Sequence, residues 1–176
     1  SARGKKQLDM LILRFKNWHI KSVFCSDLGR AFKTAEAIAR DHSLKPLSIK
    51  DLRECDIGDW KNLPPKEAIN KWINFYEKLK KEGIKREDIR PPNGENSFDH
   101  QKRVMVCINK ILKDFPNETV VIVGHNGTNK VIIGSLQNKD PDDFYTVEQS
   151  NACVNIIKTN GSNIKVICIN NISHLK

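Results

Sequence analysis

The amino-acid sequence predicts an α/β fold of three layers, α/β/α, with a mostly parallel central sheet and a C-terminal antiparallel hairpin. Three observations carry this reading. Helix-like and strand-like segments alternate along the chain, the pattern of a parallel sheet covered by helices. The stretch Thr119-Val-Val-Ile-Val123 is apolar at four successive positions, as a strand covered on both faces is. Two strand-like runs close the chain, Ala152–Lys158 and Ile164–Ile169, joined at Thr159-Asn-Gly161, and Asn-Gly favours a tight hairpin turn.

The elements follow in order. Leu8, Leu11, Ile12 and Phe15 share one helical face, so residues 1–16 read as an amphipathic helix. Ser22-Val-Phe-Cys25 is a short apolar strand, after which Asp27 is placed to cap a helix whose buried stripe is Ala31, Ala35, Ile38 and Ala39. Leu47, Ile49 and Leu52 predict a short strand leading into an irregular loop, Glu54–Leu63. Pro64-Pro65 opens the next helix, where a missing N–H does no harm, and Gly83 ends it. Its expected buried face is Ala68, Ile69, Trp72, Ile73 and Tyr76. Residues 84–96, with Pro91-Pro92-Asn93-Gly94, form a loop by their turn chemistry. Ser97 starts a helix to about Phe115 with Val104, Ile108, Ile111 and Leu112 inward, and a last helix runs from Gly124-His-Asn-Gly127 to about Leu136. An α/β sheet normally opens on a strand. This chain opens on a helix, an order that points to something missing upstream.

The chain has 176 residues, the length of one domain, 1–176, with no internal repeat and no linker. No apolar run approaches the ~20 residues of a membrane-spanning helix. The five cysteines, Cys25, Cys55, Cys107, Cys153 and Cys168, are odd in number and irregularly spaced, which argues against a disulfide framework or a zinc site and for a reducing, cytoplasmic setting. Lys+Arg exceeds Asp+Glu by 30 to 21, a net charge of +9. A polyanionic partner is one reading of that excess. The lysines are scattered and no nucleic-acid-binding motif accompanies them, which favours a solvated basic surface whose potential steers a small anionic substrate.

Ligands in open α/β sheets collect outside the carboxyl ends of the strands. There the sequence places Arg30 near a helix start, Glu54 after the second strand, and His125 after the third. An arginine, a carboxylate and an imidazole at neighbouring strand ends suit phosphoryl chemistry. Arginine grips phosphate with two donors, a helix N-terminus adds backbone N–H groups, and a carboxylate protonates a leaving oxygen. The other histidines, His19, His42, His100 and His174, stand in polar or terminal contexts and read as structural.

The motifs occur in a recognisable order: Ser26-Asp-Leu-x-Arg-Ala-x-x-Thr-Ala35, Leu52-x-Glu54…Gly58-Asp-Trp60, Asn93-Gly-Glu-Asn-Ser97…Arg103, Val121-Ile-Val-Gly-His-Asn-Gly127 and Ile172-Ser-His-Leu175. Over essentially its whole length the chain resembles the histidine phosphatase superfamily, the phosphoglycerate mutase-like group. Ser1-Ala-Arg-Gly4…Gln7 is similar to the segment that opens the family's first helix. The resemblance implies a metal-free covalent mechanism in which the histidine of an Arg-His-Gly motif becomes phosphohistidine. It implies that Arg30 clamps the phosphate, that His125 hydrogen-bonds the transferring phosphoryl group, and that Glu54 serves as general acid and then assists the attacking water. Asn126 joins Arg30 as a substrate-binding expectation, and no cofactor or metal is expected.

Departures from the family pattern set further expectations. The sequence holds no Arg-His-Gly, which in the family ends a first central strand upstream of where this chain starts. The chain is therefore expected to be an N-terminally truncated domain, inactive by itself, in a protein that is otherwise a phosphomonoesterase for small phosphorylated metabolites. The alternatives are a phosphoglycerate mutase and a non-catalytic phosphate-binding relative. The segment 64–97 is short for the mutases' insertion. Gly124-His-Asn-Gly127 stands where the family prefers Ser-His-Gly-Gly, and Lys130 where it often has arginine, a change that keeps charge but loses the bidentate fork. No nucleic-acid or membrane partner is expected, and a homo-oligomer stays open.

Overall fold

Residues 1–160 and 163–176 are described by a computed structural model. Among the described residues, five helices alternate with the strands of two sheets: α1 (Ala2–Phe15), β1 (Ser22–Cys25), α2 (Gly29–Asp41), β2 (Pro46–Ser48), α3 (Pro65–Lys81), α4 (Ser97–Asp114), β3 (Val120–Val123), α5 (Asn126–Leu136), β4 (Val154–Thr159) and β5 (Ile164–Asn171). Short 3-10 turns fill the loops, among them Lys50–Leu52 and Gly58–Trp60. The central sheet has three parallel strands in the order β2-β1-β3, and β4 and β5 form a separate antiparallel pair. Val23 stands opposite both Pro46 and Val121, so the three strands finish at the same edge.

The period of two along the strands divides the core. Val23, Cys25 and Val121 turn to α1 and α2, where Leu11, Phe15, Ala35 and Ile38 close over them. Phe24 and Ile122 turn the other way, to Val104, Ile108 and Val131 of α4 and α5. Three layers result, as the sequence predicts. The hairpin extends both cores, since Val154 and Ile156 join the first and Ile157 the second. Between β3 and β4 lies a trough of about 1310 Å3, walled by apolar side chains from both layers, such as Leu11, Phe15, Ile108 and Ile111. Val120, Ile122 and Val123 border it and are only half-buried, where the apolar run predicts cover on both faces.

The element boundaries differ from expectation in three places. Asp27 does not cap α2, which starts at Gly29 behind an uncapped Leu28; its carboxylate pairs instead with Arg53. The second strand stops at Ser48, and the apolar pattern up to Leu52 continues through a 3-10 turn that buries Leu52 completely. On α3 the buried face is turned from the predicted one: Ile69 and Ile73 are 58% and 51% exposed, while Trp72 and Phe75 lean toward Trp60 and Tyr76 packs on Trp72. The aromatic rings offer more area than the isoleucines, and the helix rolls to bury them. At the hairpin tip, Gly161 of the predicted Asn-Gly turn lies outside the described residues. Among the described residues no helix is long and apolar enough to cross a membrane.

Candidate active site

Because the three parallel strands end together, the segments that follow them meet at one edge of the sheet. Ser26 continues from β1 with its N–H on the Val123 carbonyl of β3, and Ile49 continues from β2 with its N–H on Cys25. His125 follows β3 after one glycine and takes the N-cap position of α5 in extended backbone. Arg30 stands in the first turn of α2. Glu54 comes from the loop behind the Lys50–Leu52 turn. Arg30, Glu54 and His125 all border the same trough.

Two of the three touch. The Arg30 Nε–H donates to His125 Nδ1 at 3.1 Å. With Nδ1 accepting, the proton of the neutral ring sits on Nε2. His125 is 7% exposed, and its Nε2 is buried with no partner. Burial, and after it the Arg30 guanidinium, pushes the pKa of this imidazole down, so the ring is neutral near pH 7. The result is an unspent N–H donor beside an arginine.

Glu54 is seated on the start of α5. Its Oε2 accepts from the Gly127 N–H at 2.9 Å, and its Oε1 from the Thr128 N–H at 3.1 Å and from Cys55 N at 3.0 Å. The Gly127 and Thr128 N–H groups are donors that a helix N-terminus leaves without intrahelical partners, and the helix dipole favours negative charge there. The seat demands glycine at 127, because a Cβ at that position would run into Glu54 Oε1. Asn126 stands next to it, but its side-chain amide donates to the Gln149 carbonyl at 2.8 Å, fastening α5 to the loop before β4. Lys130 likewise donates to the Tyr145 carbonyl at 3.0 Å.

Around Glu54 lies a hydrogen-bond lattice that the sequence does not announce. Arg103 of α4 donates through Nη1 to the carbonyls of Asp51 and Arg53, at 2.8 and 3.0 Å, and through Nη2 to that of Glu54 at 3.1 Å. Its Nε and Nη2 also hold the Glu95 carboxylate. The Thr128 hydroxyl donates to the Arg53 carbonyl at 2.8 Å and lies 3.2 Å from His100 Nε2. Having spent its proton on Arg53, the hydroxyl can only accept from His100, which puts the imidazole proton on Nε2. His100 is completely buried, and burial, with Arg103 next in effect, pushes its pKa down to about 4. At the rim, Arg53 grips Asp27 with two bonds of 2.6 Å, tying the β1 segment to the Glu54 loop and holding the Asp27 carboxyl below the usual carboxylate range. One signal for this lattice was in the sequence: His100 and Arg103 are three apart on one helix, and so share a face.

Cys55, Glu95 and His100 bring a thiol, a carboxylate and an imidazole within 4.8 Å of one another, a set that invites a metal ion. Their other commitments do not suit one. Both Glu95 oxygens accept from Arg103, and Oε1 also accepts from the Asp56 N–H. The Cys55 thiol donates to the Glu95 carbonyl at 3.7 Å, and His100 Nε2 is taken up by the Thr128 hydroxyl. This group is read as part of the lattice rather than as a metal centre.

Comparison with known proteins agrees with this architecture. The sequence profile of the histidine phosphatase superfamily (branch 1) matches residues 1–172. Phosphoserine phosphatase 1 of Hydrogenobacter thermophilus is 26% identical over 175 residues, covering 99% of this chain and 82% of that protein. Phosphoglycerate mutase-like protein 4 of Arabidopsis thaliana is 30% identical over 98% of this chain and 74% of its own length. Among solved structures, YhfR of Bacillus stearothermophilus superposes with a TM-score of 0.85 at 22% identity, over 100% of this chain and 86% of that one. An α-ribazole phosphatase from Shigella flexneri gives 0.80 at 23% identity, over 97% and 83%. A fold shared with phosphatases, and a family profile that runs through the Arg30, Glu54 and His125 loops, lead to one assignment: the chain belongs to the histidine phosphatase superfamily.

Proposed function

We propose that this chain is the body of a phosphomonoesterase that hydrolyses small phosphorylated metabolites through a phosphohistidine. The nucleophilic histidine belongs to an Arg-His-Gly segment outside the 176 residues, on a strand that fills the trough between β3 and β4. The observation that carries the reading is the Arg30–His125 contact, at one rim of that trough, with Glu54 seated on the same helix start. The phosphatase names among the relatives support the reaction class.

In the proposed cycle the nucleophile's ring nitrogen forms a bond to phosphorus as the ester P–O bond breaks. Arg30 directs its Nη donors to the phosphoryl oxygens while its Nε keeps His125 oriented. His125 gives its Nε2–H to the same phosphoryl group, where negative charge grows in the transition state. Glu54, having taken up a proton from solvent against the pull of its N–H donors, delivers it to the leaving alkoxide. It then takes one from the water that attacks phosphorus, releasing inorganic phosphate and free histidine. Positioned donors of this kind are where most phosphoryl-transfer catalysis resides.

The test is phosphate release from p-nitrophenyl phosphate, without added metal, by protein that includes the Arg-His-Gly segment. His125→Ala and Arg30→Ala each cut kcat/KM by ~100-fold or more, the scale of one lost transition-state donor. Near-full activity in both variants would overturn the assignment. The 176-residue chain alone gives no turnover. With 3-phosphoglycerate as the substrate, formation of 2-phosphoglycerate in place of free phosphate would favour the mutase reading.

A further inference from the structure

All five N–H bonds of the Arg103 guanidinium are committed, three to the carbonyls of Asp51, Arg53 and Glu54 and two to the Glu95 carboxylate. None is left for a ligand. The three carbonyls belong to the short run that ends in Glu54, and the guanidinium that collects them stands on α4, a helix packed against α5. Glu54 bonds the first N–H groups of α5, so its backbone is set from one helix and its carboxylate from the neighbouring one.

We propose that Arg103 is the positioning residue for Glu54, with Glu95 holding the guanidinium in the orientation that the task requires. This rests on the reading above that Glu54 carries protons in the reaction. The planar fork is essential to the arrangement. A lysine would bring the same charge but at most three donors from a single point, and could not span the carbonyls of Asp51 and Glu54 while also meeting Glu95. A second tether supports the same loop from α5, because the Thr128 hydroxyl shares the Arg53 carbonyl with Arg103 Nη1 and is itself held by buried His100. With Arg103 gone, that tether keeps the loop attached but does not fix the Glu54 peptide. The side chain then samples positions away from the leaving oxygen.

The test is a double-mutant cycle on kcat in protein with the Arg-His-Gly segment present, using Arg103→Lys and Glu54→Gln. Arg103→Lys lowers kcat by ~10- to 100-fold, the cost of misplacing a catalytic group by about an ångström, with KM changed less than about threefold because Arg30 and His125 still bind phosphate. In the Glu54→Gln background the same change costs less than about twofold, since there is no proton carrier left to position. Losses that multiply in the double variant, or an Arg103→Lys enzyme with normal kcat, would overturn the proposal. If Arg103→Lys does not fold by circular dichroism, Glu95→Gln takes its place in the cycle, keeping the guanidinium but loosening its hold, and must show the same non-additivity. An unchanged kcat in Glu54→Gln alone would instead refute the proton-carrying role, and this inference with it. A strong effect of Glu54→Gln with no coupling to residue 103 refutes this inference alone.

Discussion

The Glu54 loop and the α3 arm leave the same stretch of chain and end in opposite conditions. Residues 53–56 are irregular, yet side chains from two helices fasten the backbone of this loop and of the turn before it. Residues 65–81 form a regular helix of good length, yet Ala68 is its one buried side chain and Ile69 and Ile73 face outward. Regular hydrogen bonding within an element says little about how firmly it is held to the rest. The loop is immobilised because each bond runs to another element. The helix satisfies its own backbone and is attached by a seam of rings, Trp60 against Trp72 and Phe75, and by the Tyr76 hydroxyl donating to Asp142.

The comparison breaks most visibly at that seam. Trp60→Ala removes the ring on which α3 rests and lowers unfolding stability by about 3–5 kcal/mol, the usual range for a buried aromatic. A loss below about 1 kcal/mol in urea titration would show that the arm is held elsewhere.

The lattice around Glu54 responds to acid. His100 has its folded pKa pushed to about 4, below the ordinary value of 6.5, because the ring is buried neutral. Above about pH 6.5 neither the folded nor the unfolded chain protonates it, and its effect is nil. As pH falls from 6.5 toward 4 the unfolded chain takes up a proton that the folded one refuses, and stability drops by up to about 3 kcal/mol. The depressed pKa of His125 acts in the same direction. His100→Gln removes the larger share of the slope; a slope of the same size in that variant would mean that His100 is not the group responsible.

A sharper contrast separates position from stability. Gly127→Ala places a methyl group where Glu54 Oε1 sits. The glutamate is flexible and swings away, and the lost hydrogen bonds are partly offset by alanine's better helix propensity, so stability falls by only about 1–2 kcal/mol. The kcat of the segment-complete enzyme nevertheless falls ~10- to 100-fold through the lost seat. Normal kcat would show that Glu54 works from another position. The smallest effect belongs to the outward face of α3: Ile73→Ser stays within about 0.5 kcal/mol, as exposed substitutions do. A larger destabilisation would reveal that this face is covered.

Most of the fold was legible because its helices and strands announce themselves by apolar spacing, as the stripe Ala31, Ala35, Ile38 and Ala39 does on α2. Spacing failed on α3, where two stripes overlap: the isoleucines at 69 and 73 and the aromatics at 72, 75 and 76 are both helical faces. Which one is buried depends on Trp60, a partner outside the helix. Asp27 failed for a similar reason, since a cap is a local expectation and Arg53 lies 26 residues away. Arg30, Glu54 and His125 were legible as polar residues at strand ends in a recognised order of motifs, and the structure brings Arg30 to His125 and Glu54 to the next turn of backbone. The lattice was legible only in part, through Glu95 and Arg103 in one motif and the shared helix face of His100 and Arg103. Arg103 meets Glu54 across 49 residues and Thr128 meets Arg53 across 75, and neither pairing leaves a periodic trace.

The outward face of α3 has a consequence for how such a protein diversifies. Substitutions there scarcely touch the energy that keeps the body folded, so a lineage can accumulate them without crossing the threshold at which selection removes them. The reacting groups tolerate no such wandering. Change therefore collects on the arm's outward face long before it reaches the loops that carry Arg30, Glu54 and His125.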